Sequence, residues 1–138
     1  MKLIIYTDGA SRGNPGHASY GFTISDGSGK LLYEEGRYIG TATNNVAEYT
    51  AVLAALKFVE KKFVKRKQLS IELYADSKLV AEQLSGRFKV KALHLRPIIE
   101  KIKILSLGLG RVIYSHIPRS KNFEADRLAN LALDSRPE

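Results

Sequence analysis

The chain has 138 residues, 44% hydrophobic and 26% charged, with 22 Lys and Arg against 14 Asp and Glu for a formal charge of +8. It has no cysteine and three histidines, which excludes disulfides, thiolate metal sites and cysteine nucleophiles and leaves any bound metal to be a hard cation held by oxygens. No apolar run reaches the roughly 18 residues of a membrane span, and the start turns polar too soon for a signal peptide.

The expectation is one domain over residues 1–138, a cytoplasmic monomer, drawn by its charge to polyphosphate rather than to a membrane. Residues 2–7, KLIIYT, form a continuous apolar run, as in a strand buried on both faces. Asp8–Gly16 is dense in turn residues and reads as a loop. Ser19–Ser25 and Leu31–Ile39 read as strands joined by the turn Asp26-Gly27-Ser28-Gly29. From Asn44 to Phe63 the apolar positions Tyr49, Val52, Leu56, Val59 and Phe63 recur at three and four, the spacing of a helix. Lys61, Lys62, Lys65, Arg66 and Lys67 follow, where cations suit the helix dipole.

Ser70–Ala75 is the next strand, and Ser77 reads as the N-cap of a short helix through Leu84. A further helix is expected over His94–Leu105, a fifth strand over Arg111–His116, and a last helix over Asn122–Leu133 with Ala125, Leu128, Ala129 and Ala132 inward. A hairpin run followed by strand–helix alternation implies an α/β fold: a mixed sheet, three antiparallel strands then two parallel, flanked by helices on both faces.

Four acids hold special places in that order. Asp8 and Asp76 stand at the ends of the first and fourth strands, and Glu48 and Asp126 near the starts of the long and last helices. In an open α/β sheet, ligands gather beyond the carboxyl ends of the strands. Four carboxylates meeting there would repel one another unless cations were bound. That is the requirement of a two-metal phosphoryl-transfer site. Singly, each acid has a plainer explanation: Asp8-Gly9 as a turn, Asp76 as a helix-start acid, Glu48 and Asp126 as acids that compensate a helix dipole.

Four motifs carry a family resemblance. The stretch Tyr6-Thr7-Asp8-Gly9-Ala10-Ser11-Arg12-Gly13-Asn14-Pro15-Gly16 resembles the opening motif of type 1 ribonucleases H. Thr43-Asn44-Asn45-Val46-Ala47-Glu48, Tyr74-Ala75-Asp76-Ser77-Lys78 and Asn122-Phe123-Glu124-Ala125-Asp126-Arg127-Leu128-Ala129 resemble its helix start, strand end and closing helix, in order along the chain. The resemblance implies an RNase H-like fold and endonucleolytic hydrolysis of the RNA strand of RNA–DNA hybrids, leaving 5′-phosphate and 3′-hydroxyl ends. It implies Asp8, Glu48, Asp76 and Asp126 as ligands of two Mg²⁺ ions, with Mn²⁺ as a substitute. The alternatives are a hybrid-binding module without catalysis, or a nuclease of the same fold that also takes double-stranded RNA.

Substrate groups follow from the same resemblance. Gly13, Asn14, Asn44 and Asn45 match positions that read 2′-hydroxyls and base edges in relatives, though turn and cap chemistry also explains Asn14 and Asn44. Thr43 and Asn122 match positions that hold a DNA-strand phosphate, while Thr41 stands where relatives often carry Arg. After the short helix, many bacterial members insert a basic helix and loop. Here only Ser85-Gly86-Arg87-Phe88-Lys89-Val90-Lys91 intervenes. Arg87 and Lys89 flank Phe88, which suits either a stacking face for a strand or a core position. Where many relatives carry a loop histidine, this chain has His116-Ile117-Pro118-Arg119-Ser120-Lys121, with His116 on a strand and Arg119 in the loop. That resembles the archaeal-type subgroup and makes Arg119 the expected site residue. His17 and His94 are expected to be structural or solvent-facing.

Overall fold

In the computed structural model, residues 1–63, 69–87, 89 and 92–137 are described. Five strands, β1 Lys2–Gly13, β2 Gly16–Asp26, β3 Leu31–Ala42, β4 Leu69–Ala75 and β5 Gly110–His116, form one sheet in the order β3-β2-β1-β4-β5. Neighbouring pairs among the first three are antiparallel, and β4 is parallel to both β1 and β5. The mixed sheet expected from the chain order is therefore present. Four helices accompany it: α1 Asn44–Phe63, α2 Lys78–Leu84, α3 Arg96–Leu109 and α4 Phe123–Asp134.

The apolar run of β1 alternates about the sheet. Leu3 and Ile5 are fully buried and join Ile71 and Leu73 of β4 against Val52, Ala55, Leu56 and Val59 of α1 and Ile99 and Ile102 of α3. Each large aliphatic side chain enclosed this way contributes roughly 1.5–3 kcal/mol. The opposite face is made differently. Gly21 and Gly36 pair across β2 and β3, and a Cβ on either would lie 2.3–2.4 Å from a carbonyl oxygen of α4, that of Ala125 or of Leu128. Glycine lets the backbone of α4 rest on the backbone of the sheet, where Ser19 Oγ donates to the Ala129 carbonyl at 2.6 Å.

Several boundaries differ from expectation. Asp8–Gly13 is not a loop: β1 continues through it, paired with β2 as far as Gly13↔Gly16, and the turn is confined to Asn14-Pro15. Gly9 marks a close approach, since a Cβ there would lie 2.3 Å from the Ala47 carbonyl carbon and the Glu48 nitrogen. Adjacent strand positions face opposite ways. Gly9 meets α1, whereas Asp8 pairs with Gly21, whose own face meets α4. The two helices thus cover opposite faces. Helix α3 starts later than His94, after a 3₁₀ turn at Leu93–Leu95 and with Pro97 in its first turn, and it runs on to Leu109. In α4 the inward set is Ala125, Leu128, Ala129 and Leu133, with Ala132 only half-buried. The cations Lys61 and Lys62 lie in the last turn of α1, while Lys65, Arg66 and Lys67 fall outside the described residues.

Candidate active site

Register places the first two acids. The parallel ladder between β1 and β4 ends at Thr7↔Ala75, so Asp8 and Asp76 are the next residues on neighbouring strands. The start of α1 supplies the third. Thr43, not Asn44, is its N-cap, with Oγ1 accepting from the Val46 amide at 3.2 Å. Asn14 Oδ1 accepts from the Asn44 amide at 3.0 Å, tying the helix start to the β1–β2 turn. With α1 resting on Gly9, the Gly9 amide donates to Glu48 Oε1 at 3.2 Å.

Asp8, Glu48 and Asp76 each bring an oxygen into a set whose members all lie within 4.8 Å of one another. Asp8 is 1% exposed, and both its carboxylate oxygens, with Glu48 Oε2, are buried without a hydrogen-bond donor. Burial, then the charges of Glu48 and Asp76, push the Asp8 carboxyl far above the usual range. Burial and Asp76 also raise Glu48, while the Gly9 amide and the Arg119 guanidinium oppose the rise. Buried acceptors without donors are costly unless a proton or a cation supplies the missing charge. An all-oxygen donor set suits a hard divalent cation.

Asp126 is at the margin of this group. It acts on the Asp8 carboxyl, raising it, yet among the described residues the three-acid set does not include it. Its own Oδ1 accepts from Asn130 Nδ2 at 3.2 Å. Arg119 is exposed in a 3₁₀ turn, Arg119–Lys121, and its charge is felt at Glu48. His116 is exposed and ends β5, outside the loop that carries Arg119.

The expected substrate groups divide by exposure. Gly13, Asn14, Asn44 and Asn45 are exposed on the surface beside the acids, at the β1–β2 turn and the start of α1. A cleft of about 590 Å³ begins at Asn45, lined by Gln83, Arg87 and Lys89 and by the apolar Leu79, Ala92 and Leu95. Arg87 is paired with Glu82, and Lys89 is exposed. Phe88 lies outside the described residues. His17 and His94 are exposed, His17 Nδ1 lying 2.8 Å from the Tyr38 hydroxyl. Asn122 departs from expectation: it is 1% exposed, and its amide group points inward to the Thr7 carbonyl and Asp76. A side chain so enclosed presents no surface for a DNA phosphate. The sequence signal for this was weak, because an Asn before a helix ordinarily reads as a cap, a bond Asn122 does not make.

The chain is also similar to known proteins in sequence and fold. The family description "Reverse transcriptase-like" matches residues 6–132. The chain is 44% identical to the bifunctional protein Rv2228c of Mycobacterium tuberculosis over 98% of its length, covering 36% of that protein. It is 43% identical to ribonuclease HI of Halobacterium salinarum over 96% of its length, covering 65% of that protein. The chain thus spans about a third of the first of these relatives and about two thirds of the second. The crystal structure of LC11-RNase H1 in complex with RNA/DNA hybrid superposes with a TM-score of 0.92 at 41% identity, over 96% of each chain.

Proposed function

The chain belongs to the type 1 ribonuclease H family, and we propose that it hydrolyses the RNA strand of RNA–DNA hybrids as an endonuclease. The observation that carries this reading is the trio Asp8, Glu48 and Asp76, drawn within 4.8 Å with buried, donorless oxygens. These three, with Asp126 beside them, would hold Mg²⁺, or Mn²⁺ in its place. When bound, a pair of such ions supplies an activated water and stabilises charge on the leaving oxygen, giving 5′-phosphate and 3′-hydroxyl ends.

The chain's own residues do the rest. Arg119 stays protonated at all usable pH and so cannot be a general base. It holds the scissile phosphate and offsets the charge of Glu48. Asn14 is exposed, and with its Oδ1 accepting from the Asn44 amide it turns its NH₂ group to the substrate. With Gly13, Asn44 and Asn45 it reads 2′-hydroxyls in the hybrid's wide minor groove, while Thr43 orders the helix start beneath them. Lys89, and Arg87 when released from Glu82, follow the strand electrostatically. The proposed setting is a cytoplasmic monomer. No helix among the described residues is long and apolar enough to cross a membrane.

Labelled hybrid, double-stranded RNA, single-stranded RNA and double-stranded DNA, each with Mg²⁺, Mn²⁺ or EDTA, test the reading. RNA in the hybrid is cut with either metal, DNA duplex survives, and EDTA stops cutting. Cleavage that persists in EDTA, or hybrid bound but never cut, would overturn it. The double-stranded RNA lane defines the breadth of substrate.

A further inference from the structure

We infer that Asn122 is a positioning residue that holds the acids in their cation-binding arrangement, an inference that rests on the proposed role of those acids. Four bonds carry it. Its Nδ2 donates to the Thr7 carbonyl at 2.8 Å and to Asp76 Oδ2 at 3.1 Å. Its main-chain carbonyl accepts from the Asp126 amide at 3.1 Å, and its main-chain amide donates to the Arg119 carbonyl at 3.0 Å. One residue is thereby joined to the neighbour of Asp8, to the carboxylate of Asp76, to the backbone of Asp126 and to the turn that carries Arg119.

The chemistry of the side chain suits that task. Asp76 faces Asp8 and Glu48, and repulsion would turn its carboxylate away from them. A donor on Oδ2 opposes that rotation and leaves Oδ1 for a ligand. A carboxamide donates without bringing a positive charge that would compete with the cation, as Lys or Arg would. Both amide hydrogens are spent on these two acceptors, and Asn122 Oδ1 is buried without a partner. Neither a cap bond nor an exposed face gives the side chain another use.

Calorimetric titration of the substrate-free protein with Mn²⁺ tests the inference, beside steady-state kinetics on hybrid. Groups that orient a metal ligand are worth roughly 10- to 100-fold in metal affinity, and Asn122→Ala is expected to weaken Mn²⁺ by that factor. Its kcat falls while KM for hybrid stays within about twofold, because no contact with nucleic acid is lost. Asn122→Leu keeps about the same volume but removes the donor without adding charge, and it is expected to weaken Mn²⁺ by a similar factor, which preserves the test if the alanine variant fails to fold. In an Asp76→Ala background, Asn122→Ala has little further effect on Mn²⁺ affinity. Parental Mn²⁺ affinity in folded Asn122→Ala or Asn122→Leu, with KM raised instead, would make Asn122 a nucleic-acid contact and overturn the inference. A parent protein that binds no divalent cation would overturn both this inference and the functional reading beneath it.

Discussion

The two faces of the sheet are packed by opposite means. Against α1 and α3 the sheet presents large aliphatic side chains, Leu3, Ile5, Ile71 and Leu73, in a core that excludes water. Against α4 it presents Gly21 and Gly36, and helix backbone lies on strand backbone. Large interdigitated side chains supply free energy, and they also give when one of them is trimmed. Backbone laid on backbone supplies less, but it fixes a distance. Asn122 and Asp126 sit at the start of α4, so the glycine face sets where they stand relative to Asp8 and Asp76. One face supplies the large aliphatic core and, where α1 rests on Gly9, seats Glu48; the other sets where Asn122 and Asp126 stand.

The largest expected effect tests whether the acids belong to function alone. Asp8→Asn removes hydrolysis, while in EDTA it leaves stability unchanged or raised by on the order of 1 kcal/mol, because one of the mutually repelling carboxyls is gone. Activity assays and thermal melts of the same preparation check it, and a clear loss of stability would return Asp8 to a structural role. Next comes the loop that enters α4. Arg119→Ala is expected to lower kcat by roughly 10- to 1000-fold, the range for losing one charge-stabilising donor. His116→Ala costs far less rate, and the parent's pH–rate profile shows no limb near pH 6–7 from a histidine. Reversal of the two variants would exchange their roles.

A third pair of substitutions divides the faces directly. Leu73→Ala should cost roughly 2–5 kcal/mol of stability with little change in kcat measured well below its melting temperature. Gly21→Ala should cost about 1–3 kcal/mol through overpacking, yet lower kcat by on the order of 100-fold as α4 moves outward. Equal kcat losses in the two would end the division of labour. The last effect is a slope, read in stability and not in rate. Asp8 and Glu48 have carboxyls raised by burial and by the acids around them, so the folded protein keeps protons that the unfolded chain releases near pH 4. Metal-free stability therefore falls as pH rises from about 4 through neutrality, by on the order of 1 kcal/mol per pH for each carboxyl that stays protonated. Saturating Mg²⁺ favours the ionised carboxylates, and it should flatten or reverse that slope in melts across about pH 4–8.

Much of this was legible in the residues. The three-and-four spacing of α1 gave the same bounds as the structure, Asn44–Phe63, because periodicity and a helix start coincide there. Ser77 caps α2 as expected, accepting from the Val80 amide at 3.3 Å. The place of Asp76, just past the end of β4, followed from the hydrophobic run before it; Asp8 was expected at a strand end and instead lies inside β1, which runs on to Gly13. What was not legible depends on neighbours distant in sequence. Gly9 reads as a turn until α1 is laid over it. Thr43 and Asn44 are both good caps, and only the bond from the Val46 amide to Thr43 Oγ1 shows which one caps the helix, with Asn14 taking the Asn44 amide. Asp126 was expected among the acids; it acts on the Asp8 carboxyl but stands outside the three-acid set, and its placement depends on how deeply α4 sits, which no local spacing encodes. Asn122 shows the same limit: its type says hydrogen bond, and only the packing says with whom.

The clearance at Gly9 has a consequence for anyone recoding the protein. A saturation library at position 9 should return glycine alone, since every other side chain begins with a carbon that would lie 2.3 Å from the backbone of Ala47 and Glu48. That veto acts through shape and not through chemistry, so it holds equally in screens for folding and in screens for turnover. A homologous helix grafted onto this strand inherits the same demand, and a donor sequence with alanine at that position would have to bring its own, more distant helix with it.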